Sequence, residues 1–236
     1  MHPAKPYQKI IIQECGEPLL PIPLSALTVV DPHPYVACGA EYGDKSPYFL
    51  RFGVIDRLQQ AQAFLNQIRP GYQLQIFDAY RPVEVQQYMV DYTFQQVCQA
   101  QQISQPTAAE AEAIWQQVYQ IWAVPSFDLA TPPPHSTGAA IDLSIIDDQQ
   151  QPLDMGSPID EMSDRSQPNY FAPAPDGQIF HQNRELLRQV MATAGFERHP
   201  GEWWHFSWGD QLWAWICQEN NLMRPAVARY GRLVNS

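Results

Sequence analysis

Positive charge is scarce in this sequence: 14 Lys and Arg stand against 25 Asp and Glu in 236 residues, for a formal net charge of −11. Such a surface repels phosphate backbones and anionic headgroups. Nucleic acid and membrane are therefore not expected partners, whereas a small zwitterion is still admitted. Long hydrophobic runs are also lacking. Residues 1–23 hold only short apolar pieces broken by Pro and charge, with no signal-peptide core and no membrane span. Cysteine is sparse and scattered: Cys15, Cys38, Cys98 and Cys217 lie far apart with no CxxC spacing. That argues against a disulfide framework or a zinc-thiolate knot and favours reduced thiols. Together these absences predict a cytoplasmic protein. There is no internal repeat and no charged tail.

What is present is a globular composition, 45% hydrophobic and 12% aromatic, with 7 Trp and 11 Tyr to build a core. The 22 Pro do not signal disorder, which needs low hydrophobicity together with high charge. Val54, Leu58, Ala61, Phe64, Leu65 and Ile68 share one helical stripe that Pro70-Gly71 terminates. Gln73–Asp78 alternates at period two, as a half-buried strand does. Pro82 suits the first turn of a helix running to about Gln101. Thr107–Ala123 reads as a capped helix, Ala139–Ile146 as a strand, and Phe180–Ala194 as a helix closed by Gly195. Trp203–Trp208 is strand-like, and Gln211–Cys217 helical. Helices and strands mix without a βαβ rhythm. The expectation is an α+β fold, a single domain over 1–236, with a small, largely antiparallel sheet flanked by helices. The Pro-rich segment 147–178 reads as a functional or covering loop.

Three segments carry ionisable groups at or near strand ends: Asp78-Ala-Tyr-Arg-Pro82, His135-Ser-Thr-Gly-Ala-Ala-Ile-Asp142 and Glu202-Trp-Trp-His-Phe206. Hydrolytic zinc takes three His, Asp or Glu ligands and keeps a fourth position for water. His135, Asp142 and His205 supply such a set, for one Zn2+ per chain. The separation of His135 from Asp142 is odd, which on one strand would send them to opposite faces; Gly138 allows the chain to turn between them. Glu202 lies three residues before His205 and faces the same geometry. It reaches the metal's water as general base only if the chain bends at Pro200-Gly201; otherwise it is an exposed strand-end carboxylate. Arg81 is either an oxyanion partner or a salt-bridging residue at a helix start, where a cation is unfavourable. His205 is either the third ligand or a core histidine. His2, His33, His181 and His199 have no matching partners and are expected at the surface or in loops. Asp78, Tyr80 and Ser136 read as supporting or structural groups, and the tryptophans as core.

At these segments the sequence resembles the D-alanyl-D-alanine dipeptidases of the VanX type, within the LAS group of zinc peptidases. DAYRP, HSTGAAID and EWWHF carry the resemblance, and Asp154-Met-Gly-Ser-Pro-Ile-Asp-Glu161 resembles that family's DMG stretch. It runs from about residue 50 to 215 and implies a LAS-type fold and a cytoplasmic enzyme cutting a small dipeptide with a C-terminal D-residue. It implies metal ligands at His135, Asp142 and His205, a general base at Glu202 and an oxyanion-stabilising Arg81. It further implies an ammonium-binding acid, placed at Asp160, and a substrate contact at Ser136. One departure stands out: serines precede the first metal histidine in the vancomycin-resistance members, and here Pro133 and Pro134 do, offering neither hydroxyl nor N–H. The same metal chemistry could serve a D,D-carboxypeptidase or wall endopeptidase on longer peptides, though the export usual for those is not foreseen. A zinc-binding domain without catalysis would be expected to lose Glu202 or Arg81, and both are present.

Overall fold

The apolar stripe of the first long helix explains the architecture around it. Val54, Leu58, Ala61 and Leu65 are completely buried and pack on one face of a central sheet. The computed structural model describes residues 5–25, 27–220 and 227–233; His2 lies outside them. In chain order the first half contains β1 (Ile11–Ile12), β2 (Leu19–Pro21), β3 (Thr28–Val29), α1 (Pro34–Ala37), β4 (Phe49–Arg51), α2 (Phe52–Ile68), β5 (Gln73–Asp78), α3 (Val83–Ala100) and α4 (Ala108–Val118). Then follow β6 (Ala140–Ile146), α5 (Gln178–Thr193), β7 (Glu197–Arg198), β8 (His205–Ser207), α6 (Gln211–Glu219) and β9 (Val227–Ala228).

The main sheet has strand order β3-β5-β6-β8-β7. Only the β3–β5 pair is parallel; the other three pairings are antiparallel. This is the expected α+β class. Ile141, Leu143 and Ile145 of β6, with Leu74 and Ile76 of β5, meet α2 and α5 in the principal core. The opposite face carries Asp142 and Ser144.

A bulge at Phe77 sets the direction of Asp78. Leu74 pairs with Ile145 and Ile76 with Leu143 on the core face, and regular alternation would keep Asp78 there too. The register shifts between Ile76 and Asp78, so that Asp78 pairs with Asp142 instead. One extra residue thus turns a charged side chain out of the hydrophobic core and onto the other face.

Two sequence-based boundaries shift: the strand expected over Trp203–Trp208 forms only over His205–Ser207, and one helix is shorter than expected. The helix expected over Thr107–Ala123 ends at Val118, although its capping box forms between Thr107 and Glu110. Beyond it, Trp122 packs against the Arg81 guanidinium and the Ala123 carbonyl accepts from Gln86; these tertiary contacts override the helical periodicity. The short strands before residue 50 were not anticipated. β2 pairs with β4 and β1 with β9.

Segment 147–178 holds only single 3-10 turns at Asp164–Ser166 and Pro175–Gly177. It is tied to α5 by Arg184, which is fully buried. That guanidinium donates to the carbonyls of Met155, Arg165 and Gln167 at 2.7–2.8 Å and to Ser157 Oγ at 3.1 Å. A buried cation saturated with backbone acceptors fixes a loop that has little regular structure of its own.

Candidate metal centre and active site

Each side chain of the centre is aimed by local backbone chemistry. Pro134 starts a single 3-10 turn, Pro134–Thr137, that carries His135, and Gly138 ends it with φ +70°. A Cβ at Gly138 would lie 2.5 Å from Leu19 Cδ1, so glycine is needed here for both conformation and space. After this turn β6 begins, and Asp142 points back toward His135: Nε2 of His135 is 3.2 Å from Asp142 Oδ2. His205, the cross-strand partner of Asp142, brings its Nδ1 to 3.0 Å from Asp142 Oδ1 and 3.2 Å from His135 Nε2. One ligand atom from each of these three buried residues lies within 4.8 Å of the others.

The outer nitrogens of both imidazoles are engaged. His135 Nδ1 lies 2.7 Å from the Ala79 carbonyl, which can only accept, so that nitrogen carries the proton. His205 Nε2 lies 3.3 Å from Ser207 Oγ; with its proton there, both remaining lone pairs converge beside the carboxylate. Asp142 Oδ1 is buried and has no aligned hydrogen-bond donor among the described residues. Two imidazole lone pairs and an unsatisfied carboxylate oxygen directed at one point fit a divalent cation of borderline softness.

Glu202 sits in the bend that follows Pro200-Gly201, outside β8, so the turn that the spacing required is present. Its Oε2 is 3.8 Å from His205 Nδ1 and its Oε1 3.5 Å from His199 Nδ1. Burial, reinforced by the Asp142 charge, raises its pKa well above the ordinary carboxylate value. Asp142 moves the other way: burial opposes ionisation, but its contacts with His135 and His205 hold the pKa far below normal.

Arg81 lies three residues beyond β5 and only 5% exposed. Asp78 receives its Nε and one terminal nitrogen at 2.9 and 2.7 Å, Gln86 accepts at 2.8 Å, and the same terminal nitrogen stands 3.4 Å from Asp142 Oδ2. The guanidinium also packs on the rings of Tyr35 and Trp122. It is a fixed cation at the edge of the centre. Asp160 is half-buried with φ +65°, and Tyr35 Oη donates to it at 2.8 Å. Burial and the nearby Asp142 charge push its pKa up to about 7.

These groups line one small cavity of about 40 Å³, together with Pro133 and Pro134. Ser136 is not brought to it. Its Oγ donates to the Pro133 carbonyl at 2.7 Å, and it borders a separate open groove. Two histidines depart from the expectation of surface or loop positions. His33 is buried, with Nε2 3.0 Å from Asp78 Oδ1, and His199 borders the cavity. His181 is half-buried on α5. Sequence reasoning missed Tyr35, His33, His199, Lys5 and Tyr7 as neighbours of the site. The one available signal was Asp78, an acid three residues from Arg81 at a strand end.

A buried three-residue cluster with metal-ligand geometry, beside a buried carboxyl and a fixed arginine on one small cavity, has the make-up of a metallohydrolase site. The chain belongs to the D-ala-D-ala dipeptidase family of peptidases, whose profile matches residues 28–223. It is 50% identical over 241 residues to a D-alanyl-D-alanine dipeptidase of Synechocystis sp., covering 98% of both chains. It is 34% identical to the Escherichia coli D-alanyl-D-alanine dipeptidase over 58% of this chain and 55% of that one. The enzyme of the same name from Enterococcus faecalis is 29% identical over 60% of this chain and 64% of that one.

Proposed function

We propose that this protein is a zinc-dependent dipeptidase that hydrolyses D-alanyl-D-alanine. His135, Asp142 and His205 hold one zinc per chain, and a single cytoplasmic domain carries the activity. The observation that carries the reading is the convergence of two imidazole lone pairs and one unsatisfied carboxylate oxygen, with Glu202 3.8 Å from His205. The family membership and the near full-length relative support the substrate.

Zinc bound there supplies Lewis acidity, which lowers the pKa of a water and polarises a carbonyl. Glu202 takes the proton of the attacking water and returns it to the leaving nitrogen as the peptide C–N bond breaks. Burial raises its pKa above the ordinary carboxylate value, the direction expected of a carboxyl that both accepts and donates a proton. Arg81, locked by Asp78, presents a permanent charge to the oxygen that gains negative charge at the tetrahedral stage, without reorganising. Asp160, oriented by Tyr35, binds the free ammonium of the substrate. A longer N-terminal extension would need that same space, which selects dipeptides.

The test is D-alanine release from D-Ala-D-Ala, beside L-Ala-L-Ala and a pentapeptide stem, with and without EDTA. EDTA-sensitive cleavage of the D,D-dipeptide in preference to the others is the expected result. Preference for the pentapeptide would replace the reading by a carboxypeptidase, and silence on every substrate by a binding domain.

A further inference from the structure

The substrate of the proposed reaction is a zwitterion, and Asp160 serves only its ammonium. Its carboxylate stands one carbon away from the nitrogen that becomes the leaving amine. Because Glu202 protonates that nitrogen, the carboxylate must come to rest on the Glu202 side of the cavity. Three carboxyl groups, those of Asp142, Asp160 and Glu202, already face this space. An incoming carboxylate therefore needs a cation or several donors. Arg81 is committed to Asp78 and to the scissile carbonyl. The Pro133–Pro134 wall has no N–H, and its two carbonyls accept from Ser136 and Thr137.

The other cation bordering the cavity is Lys5, carried by the first described stretch of the chain. Lys5 lines the cavity together with His199 and Glu202. No ion pair of its ammonium forms among the described residues. The segment is anchored. The Lys5 N–H donates to Gln8 Oε1 at 2.9 Å, Tyr7 is buried against Leu212 and Ile216, and Gln211 Nε2 donates to the Ile10 carbonyl at 2.7 Å. The 3-10 turn Pro6–Lys9, with Lys5 at its N-cap, thus brings a cation from the start of the described chain to the lining of a cavity built from residues far along the sequence.

We infer that Lys5 binds the α-carboxylate of the substrate's C-terminal residue. The inference rests on the dipeptidase reading and deepens it. The two are separated by comparing D-Ala-D-Ala with D-alanyl-D-alaninamide, which lacks the negative charge. In the zinc-loaded wild type the free acid is preferred in kcat/KM. In Lys5→Met that preference falls about tenfold or more, the loss lying in KM, and Lys5→Arg restores a large part of it. Calorimetric titration of Glu202→Gln protein with the same two compounds, with and without Lys5→Met, gives the same comparison without turnover. A preference unchanged in Lys5→Met overturns the inference and leaves the dipeptidase standing, as does an equal loss on acid and amide, the mark of a merely structural lysine. Wild-type protein that cleaves neither compound removes the dipeptidase reading; equal binding of acid and amide by the two lysine forms then removes the inference as well.

Discussion

Asp142 and His205 are direct cross-strand partners on β6 and β8, and Oδ1 of the first lies 3.0 Å from Nδ1 of the second. The same row of the sheet continues to Asp78 on β5, which pairs with Asp142 on its other side. Side chains in one row of a sheet share a face. Two of the three candidate ligands and the acid that holds Arg81 are thus positioned by a single register. His135 alone comes from outside the sheet.

A metal held by that row should stabilise the fold by mass action. Zinc at a hundredfold excess over its dissociation constant is expected to add roughly 3 kcal/mol, visible as a rise in Tm that EDTA reverses. Asp142→Asn and His205→Ala should lose the response and bind less than one zinc by elemental analysis. A wild-type Tm indifferent to zinc and EDTA would remove the metal from the site.

Glu202→Gln keeps the shape of the side chain and removes its basicity. Zinc content should match the wild type, while kcat falls by about 10²–10⁴-fold. Normal turnover in this variant would take the proton-transfer role away from Glu202.

Asp78 is completely buried beneath Arg81 and His33. Burial works against its ionisation, yet Arg81, His33 and His135 together lower its pKa. Asp78→Ala leaves a buried guanidinium without its main counter-charge, and denaturation should record a loss of about 3–5 kcal/mol. Arg81→Met combined with Asp78→Ala should recover part of that stability but no activity. A double variant whose loss equals the sum of the losses of Asp78→Ala and Arg81→Met would show that the pair is not coupled.

These relationships mark where the sequence was legible. α2, β5, α3, α5 and β6 were readable because each carries a local period with its own stop signal. The triad was readable because ligand chemistry restricts residue type, and the turn at Gly138 and the bend at Pro200-Gly201 are announced by the residues that make them. The bulge at Phe77 has no such signature, since Leu74, Ile76 and Asp78 alternate perfectly on paper. The early end of α4 depends on where Trp122 packs. His33 and Lys5 reach the site through contacts spanning 45 residues and more, and nothing in their flanking sequence records those distances.

Gly138 offers a test of the turn itself. Its φ of +70° and the 2.5 Å approach to Leu19 Cδ1 mean that Gly138→Ala must strain the backbone and displace Leu19. A loss of roughly 1–3 kcal/mol is expected, with zinc affinity falling as His135 moves off the Asp142–His205 pair. Leu19→Ala added to Gly138→Ala should relieve the steric part alone. Unchanged zinc affinity in Gly138→Ala would show that His135 is held by the Ala79 carbonyl without help from the turn.

Asp160 combines a binding role with a stability cost. Burial and the Asp142 charge raise its pKa from 3.8 to about 7. Between those values the folded protein retains a proton that the unfolded chain has released, so stability falls as pH rises from 4 to 7 and levels off above. Asp160→Asn removes the titration. In EDTA-treated protein it should match the wild type near pH 4 and exceed it near pH 8, by on the order of 1 kcal/mol for this half-buried group. The ionised form is the one that attracts an ammonium. The wild-type KM for D-Ala-D-Ala should therefore rise as pH drops below about 7, and Asp160→Asn should show a KM raised about 10- to 100-fold with that pH dependence flattened. A more stable variant that binds substrate normally would leave Asp160 as a strained residue at φ +65° with no part in recognition. A variant that is both less stable and less active would instead make its hydrogen bond from Tyr35 the reason it is there.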